Sequence, residues 1–341
     1  MEQRPGKREE RKVTESGHRR TAVAESGSPA TGARIAGLGA YRPQTVVSNE
    51  QAAADAGVAP EWIAQRVGIH ERRRATGSET VVGMAVEAAR EALDAAGKDA
   101  NDVDVVILAT CSLPTAMPNG AARVAAGLGC RAAAGFDLNA ACAGFNHALA
   151  VADGLVRSAV ARNVLVVGAE RMTDWVSAHD RDTGPIFADG AAAALVVPAI
   201  RPGIFPVAWG GDGERADLIR IRADTGRMEM AGREVFAWAV TALTPVIRAA
   251  CERAGFEPGE LKGFVPHQAN LRIVKALGAA VGAAGSVTAT DVTHTGNTCG
   301  ASVPLALHAL RQRGELTAGD PVLLLGFGAG LSYAAQVVLS P

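Results

Sequence analysis

Three residues in this chain carry groups capable of chemistry: a thiol at Cys142, an imidazole at His267 and a neutral amide at Asn297. Cys142 lies in DLNAACAGF (Asp137 to Phe145), after the apolar segment Ala132 to Phe136 and before the helical run AGFNHALAVADGLV. A strand gives way to a buried helix there. Backbone N–H groups at a helix start lack internal partners and carry partial positive charge, so a thiolate held there is stabilised and becomes a nucleophile. The competing reading is a small, inert core cysteine. His267, in VPHQAN (Val265 to Asn270), ends a short apolar strand just before the helix Leu271 to Val281. Strand ends at the top of a parallel or mixed sheet are where α/β proteins place reactive groups. Asn297, in THTGNTCGAS (Thr293 to Ser302), offers a hydrogen-bond donor that does not itself become charged, although an Asn beside Gly is also ordinary turn chemistry. In GFGAG, Gly326 to Gly330, small residues let backbone N–H groups approach a ligand closely. A nucleotide-phosphate loop is excluded, because no Gly-Lys-Ser or Gly-Lys-Thr follows and the next residues read as a strand.

The elements that must position these groups alternate between short apolar runs and Ala-rich helical patterns, as in an α/β chain. Val103 to Ala109, Asn163 to Gly168, Ala191 to Val197, Gly263 to Pro266, Pro321 to Gly326 and Ser332 to Leu339 read as buried strands without polar alternation. Glu79 to Ala95, Asn119 to Leu128, Val235 to Ala254, Leu271 to Val281 and Ser302 to Arg313 read as helices. An internal echo joins VVILAT, the helix opening at Cys142, VLVVGAE and AAAALVV to GFVPHQ, the helix after GNTCG, PVLLLGFG and YAAQVVL. Two similar halves follow, with a seam in the Pro- and Gly-containing stretch Arg201 to Gly213.

Composition sets the frame. The 341 residues bury a sizeable core, and 48% hydrophobic with 20% charged residues is ordinary for a globular protein. A formal net charge of -1 offers no broad attraction for nucleic acid or an anionic membrane surface. The five cysteines are an odd number, widely spaced and without a CxxC pair, which fits a reduced, cytoplasmic setting. Residues 1–32 mix Arg, Lys, Glu, Ser and Gly with little apolar periodicity and read as a disordered tail; no signal-peptide core follows, and no stretch reads as membrane-spanning.

Taken in order, DLNAACAGF, VPHQANLRI, GNTCGAS and GFGAG resemble the motifs of beta-ketoacyl-(acyl carrier protein) synthase III, a thiolase-fold condensing-enzyme family. The likeness runs from about Ile35 to the C-terminus and includes GLGAYRP, EWIAQRVGIHERR and IFADGAAAALVV. It implies a thiolase-like α/β fold, with two similar βαβαβαββ halves in a five-layered α-β-α-β-α arrangement. Residues 33–203 would carry the nucleophilic Cys, and 204–341 the His and Asn.

The resemblance also implies a mechanism. Cys142 takes an acyl group from an acyl-coenzyme A; a malonyl thioester, on acyl carrier protein or coenzyme A, then loses carbon dioxide and its carbanion attacks the acyl-enzyme. No cofactor or metal is implied. His267 and Asn297 hold the enolate oxygen, and the N–H groups of Cys142 and Ala329 form the acyl oxyanion hole. Trp62, Arg66, Arg181 and Asn270 match the coenzyme A tunnel. Phe327 shields the thiol, and Met117 occupies the position that closes the acyl pocket, where a flexible thioether would admit a longer or branched starter. Arg272 and Lys275 match the face that docks the acidic carrier protein, although Ala279 and Ala237 replace basic residues expected there. Cys299 and Gly300 stand where the family often has Ser and Ala, with packing as the expected role. The family is usually a homodimer, and Asn119 to Leu128 is compatible with its interface.

Three alternatives and one finer distinction frame the expectation. A thiolase-fold acyltransferase passing the Cys142 acyl group to an alcohol or amine is opposed by the complete enolate hole at Asn297. A silent subunit of the same fold would lack the nucleophile, and a Cys-His-Asn peptidase would need different surroundings. Between fatty acid and polyketide initiation, the Met117 gate and weak docking face favour a polyketide starter-unit synthase.

Overall fold

A computed structural model describes residues 32–282 and 285–341. Its elements run β1 (Gly32–Tyr41), β2 (Thr45–Ser48), α1 (Asn49–Ala56), α2 (Pro60–Val67), β3 (Glu71–Arg74), α3 (Val81–Ala96), β4 (Val105–Ala109), α4 (Gly120–Leu128), β5 (Ala134–Leu138), α5 (Gly144–Arg157), β6 (Val164–Arg171) and β7 (Asp189–Ala199). They continue β8 (Ala208–Gly211), β9 (Ile219–Ile221), β10 (Met228–Met230), α6 (Gly232–Ala254), β11 (Gly263–Pro266), α7 (Leu271–Val281), β12 (Val287–Thr288), α8 (Val292–Thr295), α9 (Ser302–Gln312), β13 (Pro321–Gly328) and β14 (Ser332–Leu339).

Two five-stranded mixed sheets carry the architecture, ordered β1-β7-β6-β4-β5 and β8-β14-β13-β11-β12. In each, three strands run parallel and the pair at the other side is antiparallel. Without the β2-to-β3 excursion and the β9, β10 and α8 additions, each half reads βαβαβαββ: β1-α3-β4-α4-β5-α5-β6-β7, then β8-α6-β11-α7-β12-α9-β13-β14.

Burial on both faces explains why the strands are apolar throughout. Val164 and Val166 of β6 point into the central core, while Leu165 and Val167, on the opposite face, join the outer core with α3 and α4. The central core unites both sheets through α5 (Phe145, Leu149, Val156) and α9 (Val303, Leu307, Leu310). A third cluster packs α6 and α7 on the far face of the second sheet. The layers are therefore α3/α4, sheet, α5/α9, sheet and α6/α7, a thiolase-like α/β fold. Close packing depends on glycine where β1 meets α3: a Cβ at Gly39 would stand 2.1 Å from the Ala88 carbonyl oxygen.

The strands and helices read from sequence recur within a few residues at their ends. What pattern missed is mainly short: β1, β8, the β9/β10 ribbon, and the β2-α1-α2-β3 excursion. The expected tail at residues 1–32 lies outside the described residues, save Gly32, which opens β1. One expectation is corrected. The 23-residue α6 is long and apolar enough to cross a membrane by length and composition. Its apolar stripe is instead committed to the interior, with Trp238, Ala239, Leu243 and Ile247 buried in the third cluster.

Candidate active site

Both central helices begin in the same way, and the site lies where their starts meet. β5 leads into a single 3₁₀ turn, Ala141–Ala143, and then α5; Ala141 takes a left-handed φ of 45°. The second half repeats the turn before α9, as Cys299–Ala301 with Cys299 at φ 47°. The two turns bring Cys142 and Cys299 face to face, their sulfurs 3.3 Å apart. The Cys299 thiol hydrogen-bonded to it, with the neighbouring His267 and the backbone N–H, holds the Cys142 thiol well below the ordinary cysteine range despite its burial. Cys299 moves the opposite way: its contacts with Cys111 and Cys142, together with burial, hold it well above that range. The two shifts favour Cys142 as the thiolate and Cys299 as the thiol that donates to it.

His267 follows β11 directly, and its N–H donates to the Leu325 carbonyl of β13 at 2.6 Å. Nδ1 lies 2.6 Å from the Ser302 hydroxyl, which fixes the ring from behind, and Phe327 packs edge-on at 5.2 Å between centroids. Nε2 is left for the pocket the ring lines. Asn297 is held on both sides. Its N–H donates to the Ile186 carbonyl at 2.9 Å, and its Oδ1 accepts the Cys299 N–H at 2.9 Å. With Oδ1 engaged, the Nδ2 hydrogens are the free end of the amide, a neutral donor as the motif implied.

Cys142, His267, Asn297, Phe327 and Ala329 all line one inner cavity of about 240 Å3. Its remaining wall is largely apolar, including Trp175, Phe187, Met172, Met228 and Met230. A larger cavity of about 890 Å3 shares Met230, Val235, Ala269 and Asn297 with it and is lined by Trp62, Arg66, Arg181, Asn270 and Arg272. The Arg181 guanidinium lies 5.2 Å from the Trp62 ring centroid and that of Arg66 5.9 Å. A flat aromatic and two cations thus stand at the outer end, which suits a phosphate-bearing heteroaromatic. Asn270 caps α7, its side chain accepting the Arg272 N–H at 2.8 Å. Lys275 stands on the exposed side of α7 and lines neither cavity.

Family models for 3-oxoacyl-(acyl carrier protein) synthase III match residues 136–213, and those for its C-terminal part match residues 251–339. A beta-ketoacyl-(acyl carrier protein) synthase III of Streptomyces coelicolor is 48% identical over 91% of this chain and 99% of its own length. The chain belongs to the beta-ketoacyl-(acyl carrier protein) synthase III family. A second synthase III, from Streptomyces avermitilis, is 47% identical, again over 91% of this chain and 99% of its own. Among solved structures, the priming beta-ketosynthase of the R1128 polyketide biosynthetic pathway superposes with a TM-score of 0.88 at 43% identity, covering 91% of this chain and 96% of that one. The synthase III of Aquifex aeolicus gives 0.87 at 36% identity, covering 90% and 100%.

Within this synthase III framework, one expected site residue stands apart from both cavities of its own chain. Met117 is 85% exposed and lines neither cavity, so it does not close the acyl pocket of its own chain. Its end of the loop is anchored elsewhere: Asn119 caps α4 and donates to the Gly135 carbonyl of β5, which ties the last residues of the β4-to-α4 connection to that edge. Three residues that motif reading passed over belong to the site. Glu170, fully buried at the end of β6, accepts from the Ser112 hydroxyl at 2.5 Å, the Thr110 hydroxyl at 3.1 Å and the N–H groups of Cys111 and Gly300. Burial pushes its carboxyl up to about 7, against the lowering effect of Ser112 and the Cys111 N–H. An ionisable residue closing the apolar strand VLVVGAE was the available signal. Cys111 lies 3.5 Å from the Cys299 sulfur; that contact lowers its thiol, but burial and the Glu170 charge push it up to about 11. Arg72, with no exposed surface, gives its guanidinium to the carbonyls of Val47 and Pro185 and to Asn49. It clasps the excursion that carries Trp62 to the loop ahead of Phe187.

Proposed function

We propose that this synthase III primes chain building by decarboxylative condensation of an acyl-coenzyme A starter with a malonyl thioester. The observation that carries the reading is the convergence of the Cys142 thiol, an imidazole and a free amide on one small cavity, next to a larger cavity edged by Trp62 and two arginines. The Cys142 thiolate attacks the thioester carbonyl carbon, and the oxyanion is met by the N–H groups of Cys142 and Ala329 as coenzyme A leaves. In the second stage the malonyl carboxylate departs as carbon dioxide. The enolate oxygen accepts from His267 Nε2–H and Asn297 Nδ2–H; its carbon then attacks the acyl carbonyl, and Cys142 leaves as thiolate. No step uses a cofactor or metal.

The apolar inner wall suits an aliphatic starter, and its three methionines adapt to chain shape. Trp62, Arg66, Arg181 and Asn270 are the coenzyme A contacts, with Arg272 and Lys275 the face toward an acidic carrier protein. Phe327 shields the acyl-enzyme. The product enters fatty acid or polyketide synthesis. Five free cysteines fit a cytoplasmic protein. A homodimer is supported by β5, an edge strand with Phe136 39% exposed, beside α4. Residues 33–203 and 204–341 are the two thiolase-like halves.

Intact mass after incubation with a panel of acyl-coenzyme A thioesters, with Cys142→Ala as control, tests the first stage. Malonyl thioester should discharge the adduct with loss of carbon dioxide and yield a β-keto product. Discharge by an alcohol or amine alone would replace condensation with acyl transfer.

A further inference from the structure

The condensation needs one thiol, yet three stand in contact. Cys299 touches Cys142 at 3.3 Å and Cys111 at 3.5 Å, and all three sulfur-bearing residues line the inner cavity. Small oxidants and reductants therefore reach them by the route the substrate takes. We propose that Cys142 and Cys299 form a reversible disulfide, with Cys299 resolving the nucleophile after a hydroperoxide has oxidised it. The two sulfurs must close from 3.3 Å to about 2 Å, the length of a disulfide bond. Both sit on single 3₁₀ turns at helix starts, so the closure falls on two short segments rather than on the sheets.

The chemistry balances in two steps. The Cys142 thiolate attacks a peroxide oxygen; the O–O bond breaks, sulfur gains the hydroxyl as a sulfenic acid, and the other oxygen leaves as alkoxide or hydroxide and takes up a proton. Sulfur loses two electrons and the hydroperoxide gains them. The Cys299 sulfur then attacks the Cys142 sulfur; the S–S bond forms, the S–O bond breaks, and hydroxide leaves as water with the proton from Cys299. Two external thiols reverse the bond by exchange. An acyl group on Cys142 blocks the first step, so starter-loaded protein is protected. The bond forms whether or not the protein condenses acyl chains.

The test is a hydrogen peroxide titration of the full chain, followed by alkylation and peptide mapping without reductant. Wild-type protein should lose two hydrogens in intact mass, give a Cys142–Cys299 cross-linked peptide, lose acyl loading and regain it with dithiothreitol. Prior loading with acyl-coenzyme A should prevent the cross-link. Cys299→Ser, compared with its own unoxidised activity, should give no cross-link and a Cys142 sulfinic acid that dithiothreitol does not reverse. Sulfinic acid at Cys142 of the wild type without a cross-link would overturn the proposal, as would a Cys111–Cys299 bond that leaves Cys142 free.

Discussion

The turns that open α5 and α9 are built alike and end in opposite chemistry. Each makes one 3₁₀ turn with a left-handed residue and presents a cysteine at the start of a central helix, the first after β5 and the second after α8. The first thiol is held low and the second high, and each is a main cause of the other's shift. The same division appears one strand over: β11 leads directly into His267, while β4 leads into Thr110 and Cys111, which serve Glu170. A repeated backbone thus supplies two equivalent frames, and side chains make one reactive and the other supporting.

Replacing the amide of the α9 frame gives the largest expected effect. Asn297→Asp sets a carboxylate against the enolate and should cut condensation about 10²- to 10³-fold while Cys142 still loads, read by separate loading and turnover assays. Next is a methyl group aimed at the α5 frame. A Cβ at Gly328 would lie 2.7 Å from Cys142 Cβ and 2.9 Å from its sulfur, so Gly328→Ala should slow acyl loading on the order of 10²-fold. Gly300→Ala meets Glu170 Oε1 at 2.9 Å instead, and its cost should appear in the urea midpoint before it appears in loading rate.

Glu170 separates the frames by pH. Its folded value of about 7 lies above the ordinary 4.5, so the folded protein binds the proton more tightly than the unfolded chain. That contribution is full below about 4.5 and is lost as pH rises through about 7, a decline on the order of 3 kcal/mol. Glu170→Gln should remove this decline from urea unfolding across the window; an unchanged slope would show that Glu170 ionises as freely folded as unfolded. The smallest effect is a shift in profile. Cys299→Ala removes the first cause of the low Cys142 value, so the pH midpoint for iodoacetamide alkylation of Cys142 should rise.

Much of this was legible beforehand because the determinants are local. Strands buried on both faces appear as unbroken apolar runs such as VLVVG, and helix starts appear as small residues after them. The motif order brought Cys142, His267 and Asn297 to one cavity, and Trp62 and Arg181 to the larger one beside it. What escaped depends on contacts between segments apart in sequence. That Cys299 would meet Cys142, 157 positions earlier, follows from the chain folding back, which no local pattern encodes. Glu170 looked like the end of a strand because its donors come from Ser112 and Gly300. Met117 was assigned by alignment of motif, whereas the end of its loop is tied to β5 by the Asn119 anchor.

The Arg72 clasp bears on how the entrance could be exchanged. Pro185, whose carbonyl Arg72 holds, is followed by Ile186, whose carbonyl accepts the Asn297 N–H. The excursion bearing Trp62 is therefore not an independent cassette. A chimera that transplants residues 45–74 from a relative must keep a guanidinium at position 72, or the loss will reach past the Trp62 entrance to the loop that holds Asn297.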